Sequence, residues 1–140
     1  MFSWLGRLFN NTPTNAFTYK YQELSGTKYP VCDVEFILNN KNASYFMVID
    51  SGADISLIPK SVGEQLGFKR TQLKYLGGVG GRAGYYINYA NVKIANKKFT
   101  APFAWMTNDD LPMLLGRQGI FSKFNICFKE KRGEVEFISS

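Results

Sequence analysis

The sequence predicts a mostly β domain, and its composition carries that expectation. Aromatic residues are abundant, with 12 Phe, 8 Tyr and 2 Trp in 140 residues. They stand with Val and Ile in short runs, a pattern that suits pleated, half-buried strands. Glycine is also frequent, at 13. The length suits one domain, and the 45% apolar content is enough to give it a core.

The same inventory removes several chemistries. Histidine is absent, so neither a Ser-His-Asp nor a Cys-His mechanism can be assembled within one chain. The commonest zinc ligand goes with it, and Cys32 and Cys127 show no metal-ligand spacing. No metal and no cofactor is expected. The two cysteines read as isolated buried thiols, with a single disulfide between them as the alternative. An enzyme built from this chain must lean on carboxylates. The net charge of +6 is modest, and its carriers read as scattered, solvated faces and turns: Lys69-Arg70, Lys97-Lys98, Lys129 and Lys131-Arg132. They form no dense stripe, so nucleic acid is not an expected partner. No apolar run is long enough to span a membrane.

Taken in order, the chain starts with residues 1–16, an amino-terminal extension. Phe2, Leu5 and Phe9 share a helical face that Trp4 and Leu8 extend. The first expectation for it is a short helix packed on its own domain. A docking segment, a removable pro-segment or a membrane-surface contact for residues 1–9 is the alternative. Asn10 to Asn15 is a polar linker, and no signal-peptide pattern precedes it. An intracellular, cytoplasmic location is the expectation. The domain proper is placed at 17–140. Val31 to Leu38 reads as a strand, Asn39 to Asn42 as a turn, and Ser44 to Ile49 as the returning strand of a hairpin. Pro59 suits the first turn of a helix running to Leu66, which Gly67 ends. Tyr86 to Ile94 and Phe99 to Met106 read as strands around a turn at Asn96-Lys97. Phe124 to Phe128 and Val135 to Ile138 are the last two strands, joined by a turn at residues 131–134.

Three segments carry chemistry. Phe46-Met47-Val48-Ile49 drives directly into Asp50-Ser51-Gly52-Ala53-Asp54, and Ile55 to Ile58 returns to apolar character. A carboxylate between two buried runs must be desolvated, paired or used. Asp-Ser-Gly by itself is also an ordinary turn. Next, Gly77, Gly78, Gly80, Gly81 and Gly84 loosen the backbone around Val79 between β-prone flanks. No Lys-Ser/Thr follows, so this is a mobile hairpin rather than a phosphate loop. Finally, Leu114-Leu115-Gly116-Arg117 places two apolar residues before a glycine and a guanidinium.

In this order the three segments resemble the retropepsin-like aspartic proteases, over roughly Tyr29 to Ile138. The resemblance implies a closed β-barrel with one or two short helices and a glycine-rich flap. It implies Asp50 as the catalytic residue, with Ser51, Gly52 and Ala53 supporting its loop. Gly77, Gly78, Val79, Gly80 and Gly81 become the flap that closes over bound peptide. Gly116 lets its strand cross close to the Asp50 loop. Arg117 would support Asp54, which would also meet the substrate backbone. A short helical segment is implied after Arg117. Gln118 departs from the Asn frequent in the family. Carboxylate hydrolysis needs two carboxyl groups around one water, and the chain has one motif. The expected enzyme is therefore an obligate homodimer acting on peptide or unfolded protein, with Asp50 supplied twice. The alternatives are a catalytically silent dimerisation or peptide-binding module of the same fold, and a small basic β-barrel that binds nucleic acid.

Overall fold

Residues 15–78 and 81–139 are described by the structure, a computed structural model. The expectations for residues 1–14, Val79 and Gly80 lie outside the described residues. The strands are β1 (Ala16–Lys20), β2 (Gln22–Leu24), β3 (Thr27–Tyr29), β4 (Val31–Ile37), β5 (Asn42–Ile49) and β6 (Ser56–Ile58). After helix α1 (Lys60–Gln65) come β7 (Lys74–Gly78), β8 (Gly81–Ile94), β9 (Lys97–Met106), β10 (Leu114–Leu115), β11 (Phe124–Lys129) and β12 (Glu134–Ser139).

Six strands close a barrel in the order β4-β5-β10-β6-β9-β8. It shuts where Glu35 and Phe36 of β4 pair with Lys93 and Val92 of β8. Closure removes exposed sheet edges. β7 continues the sheet beyond β8 as a separate arm, and β1-β12-β11 form a second sheet. The barrel is mixed. β10 runs parallel to β5, and β6 runs parallel to β9. Strands in such positions are covered on both faces, which explains the unbroken apolar runs at Leu57-Ile58 and Leu114-Leu115. Ile58 and Leu115 join the main core with Val34, Phe36, Met47, Phe103 and Phe137. Leu57 and Leu114 turn the other way, into a smaller cluster with Ile55, Ala104 and Met106 that Leu76, Ala83, Tyr85 and Ile87 cover.

Helix α1 starts after Pro59, whose φ of −60° and extended ψ suit the cap position, and stops at Gly67, where φ is +73°. Trp105 packs against it at Gly63 and donates from Nε1 to the Lys60 carbonyl at 3.0 Å. No helix among the described residues is long and apolar enough to cross a membrane.

The structure departs from the sequence reading in four places. The β8–β9 turn is Ala95-Asn96, one residue earlier than expected, with φ of +49° and +64°. Two positive φ values define the turn whose twist matches a tight hairpin. The Tyr19 hydroxyl accepts the Ala95 amide at 2.8 Å, which ties down an Ala in that conformation. Strands β1 to β3 fall in a segment where no strand was assigned. β1 exists because it pairs along its whole length with β12, a long-range contact with no local signature. The helical segment after Arg117 is reduced to turns ending in a 3₁₀ turn at Phe121–Lys123, because Gly119 at φ +72° interrupts the helical path. Cys32 is fully buried as expected, but Cys127 is exposed. Phe124 and Ile126 take the inward face of β11, so residue 127 points out.

Candidate active site

Asp50 stands at the end of β5, where separate chain segments converge. Ile49 N–H donates to the Pro30 carbonyl at 2.8 Å, and Asp50 N–H donates to the Leu115 carbonyl at 3.0 Å. The chain then turns. Ala53 N–H donates to the Asp50 carbonyl at 3.2 Å, and Gly52 N–H donates to Asp50 Oδ1 at 2.9 Å. An Asp accepting from the amide two residues on is a local turn device. Here it also fixes the rotation of the carboxylate. Asp50 and Ala53 are half-buried, while Ser51, Gly52 and Asp54 are exposed.

The second segment braces this loop through its backbone. Arg117 N–H donates to the Ala53 carbonyl at 2.9 Å, and Gln118 N–H to the Asp54 carbonyl at 2.8 Å. Such bonds require close approach, and Gly116 permits it. A Cβ at Gly116 would lie 2.4 Å from the Ile55 carbonyl carbon, 2.5 Å from its oxygen and 2.9 Å from the Ala53 oxygen. Gly116 N–H donates to Ser56 Oγ at 2.9 Å. Ser56 is fully buried, and the sequence reading passed over it as part of an apolar run. Its signal was available: a lone hydroxyl in a buried run must find a hydrogen-bond partner.

The structure therefore brings Asp50 to Ala53 together with Gly116 and Arg117 in one backbone network. Asp54 joins that network through its carbonyl. Its side chain meets Arg117 loosely, with Nη1 to Oδ1 at 3.8 Å and the two side chains 59% and 83% exposed. An ion pair so exposed adds little to stability. It borders a cleft of about 390 Å³ that Gln118, Gly119, Phe121 and Ser122 also line.

The glycine segment forms the β7–β8 hairpin, with Gly77 opposite Arg82 and Gly78 opposite Gly81. The hairpin reaches the floor of the site through the apolar cluster of Leu76, Ala83, Ile55, Leu57 and Leu114. Burial shifts the acidity of groups on β1 and β4. Burial, then Glu35, raises the Asp33 carboxyl. Burial, then Asp33, raises the Cys32 thiol, and burial raises the Tyr19 hydroxyl.

A closed barrel whose crossing strands deliver an Asp-Ser-Gly turn, and whose sheet continues into a hairpin arm, is the retropepsin-like architecture. The crystal structure of a retropepsin-like aspartic protease from Rickettsia conorii is similar, with a TM-score of 0.66 and 17% identity over 86% of this chain and 97% of that one. The EIAV protease, solved in complex with the inhibitor HBY-793, is similar with a TM-score of 0.54 and 20% identity, over 72% and 92% of the two chains. Residues 34–118 match the aspartyl protease family model, and the chain belongs to that family. No curated protein matches the chain.

Proposed function

We propose that the protein is a homodimeric aspartic endopeptidase in which Asp50 of each of two copies holds one water. Residues 17–140 form the protease domain, and residues 1–16 lie outside it. Membership of the aspartyl protease family supports hydrolysis. The observation that carries the dimer is the half-exposed Asp50 turn, the one Asp-Ser-Gly in the sequence, left open on a single chain. A two-fold axis beside that turn supplies the second carboxylate.

Two carboxylates in contact cannot both ionise, so the pair holds one proton between them. The ionised group takes a proton from the water, whose oxygen bonds to the peptide carbonyl carbon. The protonated group gives its proton to the carbonyl oxygen. Collapse of the tetrahedral diol breaks the C–N bond as the protonated Asp50 gives its proton to the nitrogen and the ionised one takes a proton from a diol hydroxyl, which restores the singly protonated pair. Ser51 braces the paired loops, and Gly52 offers its carbonyl to the substrate backbone. Asp54 and Arg117 hold the outer wall. The hairpin of Gly77, Gly78, Val79, Gly80 and Gly81 closes over an extended peptide held as an added strand. The apolar cluster around Leu57, Ile87 and Leu114 receives side chains beside the scissile bond.

The test is cleavage of a peptide library from pH 4 to 7 by the wild type and Asp50→Asn, with sedimentation of both. Loss of cleavage in a variant that still dimerises is the expected result. Equal cleavage by both proteins would overturn the assignment of Asp50. A folded wild type that binds peptide without cleaving it would favour the silent module.

A further inference from the structure

The positive charge of this chain is segregated. Between Glu64 and Asp109 the sequence carries Lys69, Arg70, Lys74, Arg82, Lys93, Lys97 and Lys98 and no acidic residue, while the remainder is close to balanced. The fold distributes these cations along β8. Lys93, Lys97 and Lys98 lie at the Ala95-Asn96 turn, Lys74 and Arg82 lie in the hairpin arm, and Lys69 and Arg70 lie between, beside the middle of β8, where Arg70 lines a cleft with Glu64 and Trp105.

The segment that leads into the arm is held in place. Asn88 Oδ1 accepts the Lys69 amide at 2.8 Å, and Asn88 Nδ2 donates to the Lys69 carbonyl at 2.9 Å. Thr71 Oγ1 donates to the Ile87 carbonyl at 3.1 Å. These bonds lay residues 69–71 along β8 and lead them into β7, the outermost strand of the sheet. Lys74 stands opposite Tyr85 and two residues from Leu76, which stands opposite Ala83. All three neighbours pack on the cluster beneath the arm, so the pleat puts Lys74 on that same face, at its open edge. Arg82 takes the other face, its guanidinium 4.6 Å from the Tyr75 ring centre. Lys69, Arg70, Lys74 and Arg82 are all exposed, and neither salt bridge among the described residues involves them.

We propose that Lys74 selects peptides that carry acidic side chains flanking the apolar residues at the scissile bond. This rests on the protease reading above. The Asp50 loop, whose following residues Ile55 and Leu57 pack with Leu76 of the arm, bears the exposed carboxylate of Asp54 and the half-exposed Asp50. A polyphosphate chain would be repelled there, whereas a peptide can place negative charge under the arm and neutral residues over the floor. Exposed charges act over about one Debye length and favour encounter and register more than raw affinity.

The test uses one apolar decapeptide core flanked by Glu, Gln or Lys, at 20 mM and 500 mM salt. Cleavage is measured with the wild type, Lys74→Glu and Lys98→Glu, the last making the same charge change at the far end. Binding of the same peptides to Asp50→Asn is followed by fluorescence anisotropy. Glu-flanked peptide should be preferred over Lys-flanked by about threefold in kcat/KM at low salt, the scale of one exposed pair. The preference should shrink at high salt, invert in Lys74→Glu and persist in Lys98→Glu. Equal use of the three peptides by the wild type would overturn the selector while leaving the protease intact. So would an equal effect of Lys74→Glu and Lys98→Glu. A Glu preference in binding without any cleavage would support the selector and sink the protease. Tighter binding of single-stranded oligonucleotide than of Glu-flanked peptide would also overturn it.

Discussion

Replacing Gly116 by Ala tests how closely two backbones must meet to build the Asp50 loop. The added Cβ would sit 2.4 Å from the Ile55 carbonyl carbon, against 3.4 Å or more for ordinary contact. The obstruction is backbone on the far side, which cannot rotate away as a side chain can. One segment must retreat by about 1 Å, and overpacking of that kind costs about 1–3 kcal/mol. The retreat also stretches the Gly116 N–H bond to Ser56 Oγ, a buried pair whose loss adds about 1–3 kcal/mol. A destabilisation of about 2–6 kcal/mol follows, a large part of the 5–15 kcal/mol typical of a domain. Gly77→Ala is the control, because nothing lies within 4 Å of a Cβ there. Its unfolding free energy should change by less than about 0.5 kcal/mol. Urea unfolding followed by circular dichroism measures both. If Gly116→Ala unfolds within 1 kcal/mol of the wild type, the close-approach argument is wrong.

Three further outcomes are expected. Gly63→Ala places a Cβ 2.1 Å from Trp105 Cδ1 and Nε1, so the indole must leave its bond to Lys60. A loss of about 2 kcal/mol and a red-shifted Trp105 emission in a Trp4→Phe background should follow. Arg117→Ala should change unfolding free energy by less than about 1 kcal/mol, since the Asp54 pair is long and exposed. A larger effect in thermal melts would mean that a second copy buries the pair. Asp33 has its folded carboxyl raised by burial, so the folded state binds its proton more tightly than the unfolded chain. Stability from this group is therefore lost as pH rises from the ordinary carboxylate value through the raised one. Asp33→Asn should stabilise at pH 7 by less than about 1 kcal/mol, discounted for partial exposure, and be neutral near pH 3 in urea titrations. Equal gains at both pH values would refute the cause given.

The hairpin that delivers Asp50 was legible because its information is local. β4 and β5 show apolar runs bounded by the Asn39 to Asn42 turn cluster, and the Asp-Ser-Gly turn follows at once. Helix α1 was legible for the same reason, from Pro59 at its start and Gly67 at its end. Strand β1 was not, because Phe17 and Tyr19 find their partners in Phe137 and Ala95, more than seventy residues away. Ser56 was hidden by its apolar neighbours until Gly116 came within 2.9 Å of it.

The sequence by itself determined that any catalysis by this chain would have to lean on carboxylates, since it holds no histidine and one Asp-Ser-Gly set between apolar runs. Composition and local turn chemistry suffice for that. Only the tertiary structure decided that β10 slots between β5 and β6, so that Gly116 and Arg117 brace the Asp50 loop by backbone bonds. It alone sorted Lys74 and Arg82 onto opposite faces of the arm. The reason is physical: strand order and register follow from long-range pairing and burial, whereas a residue's own periodicity says only that it has an inside and an outside.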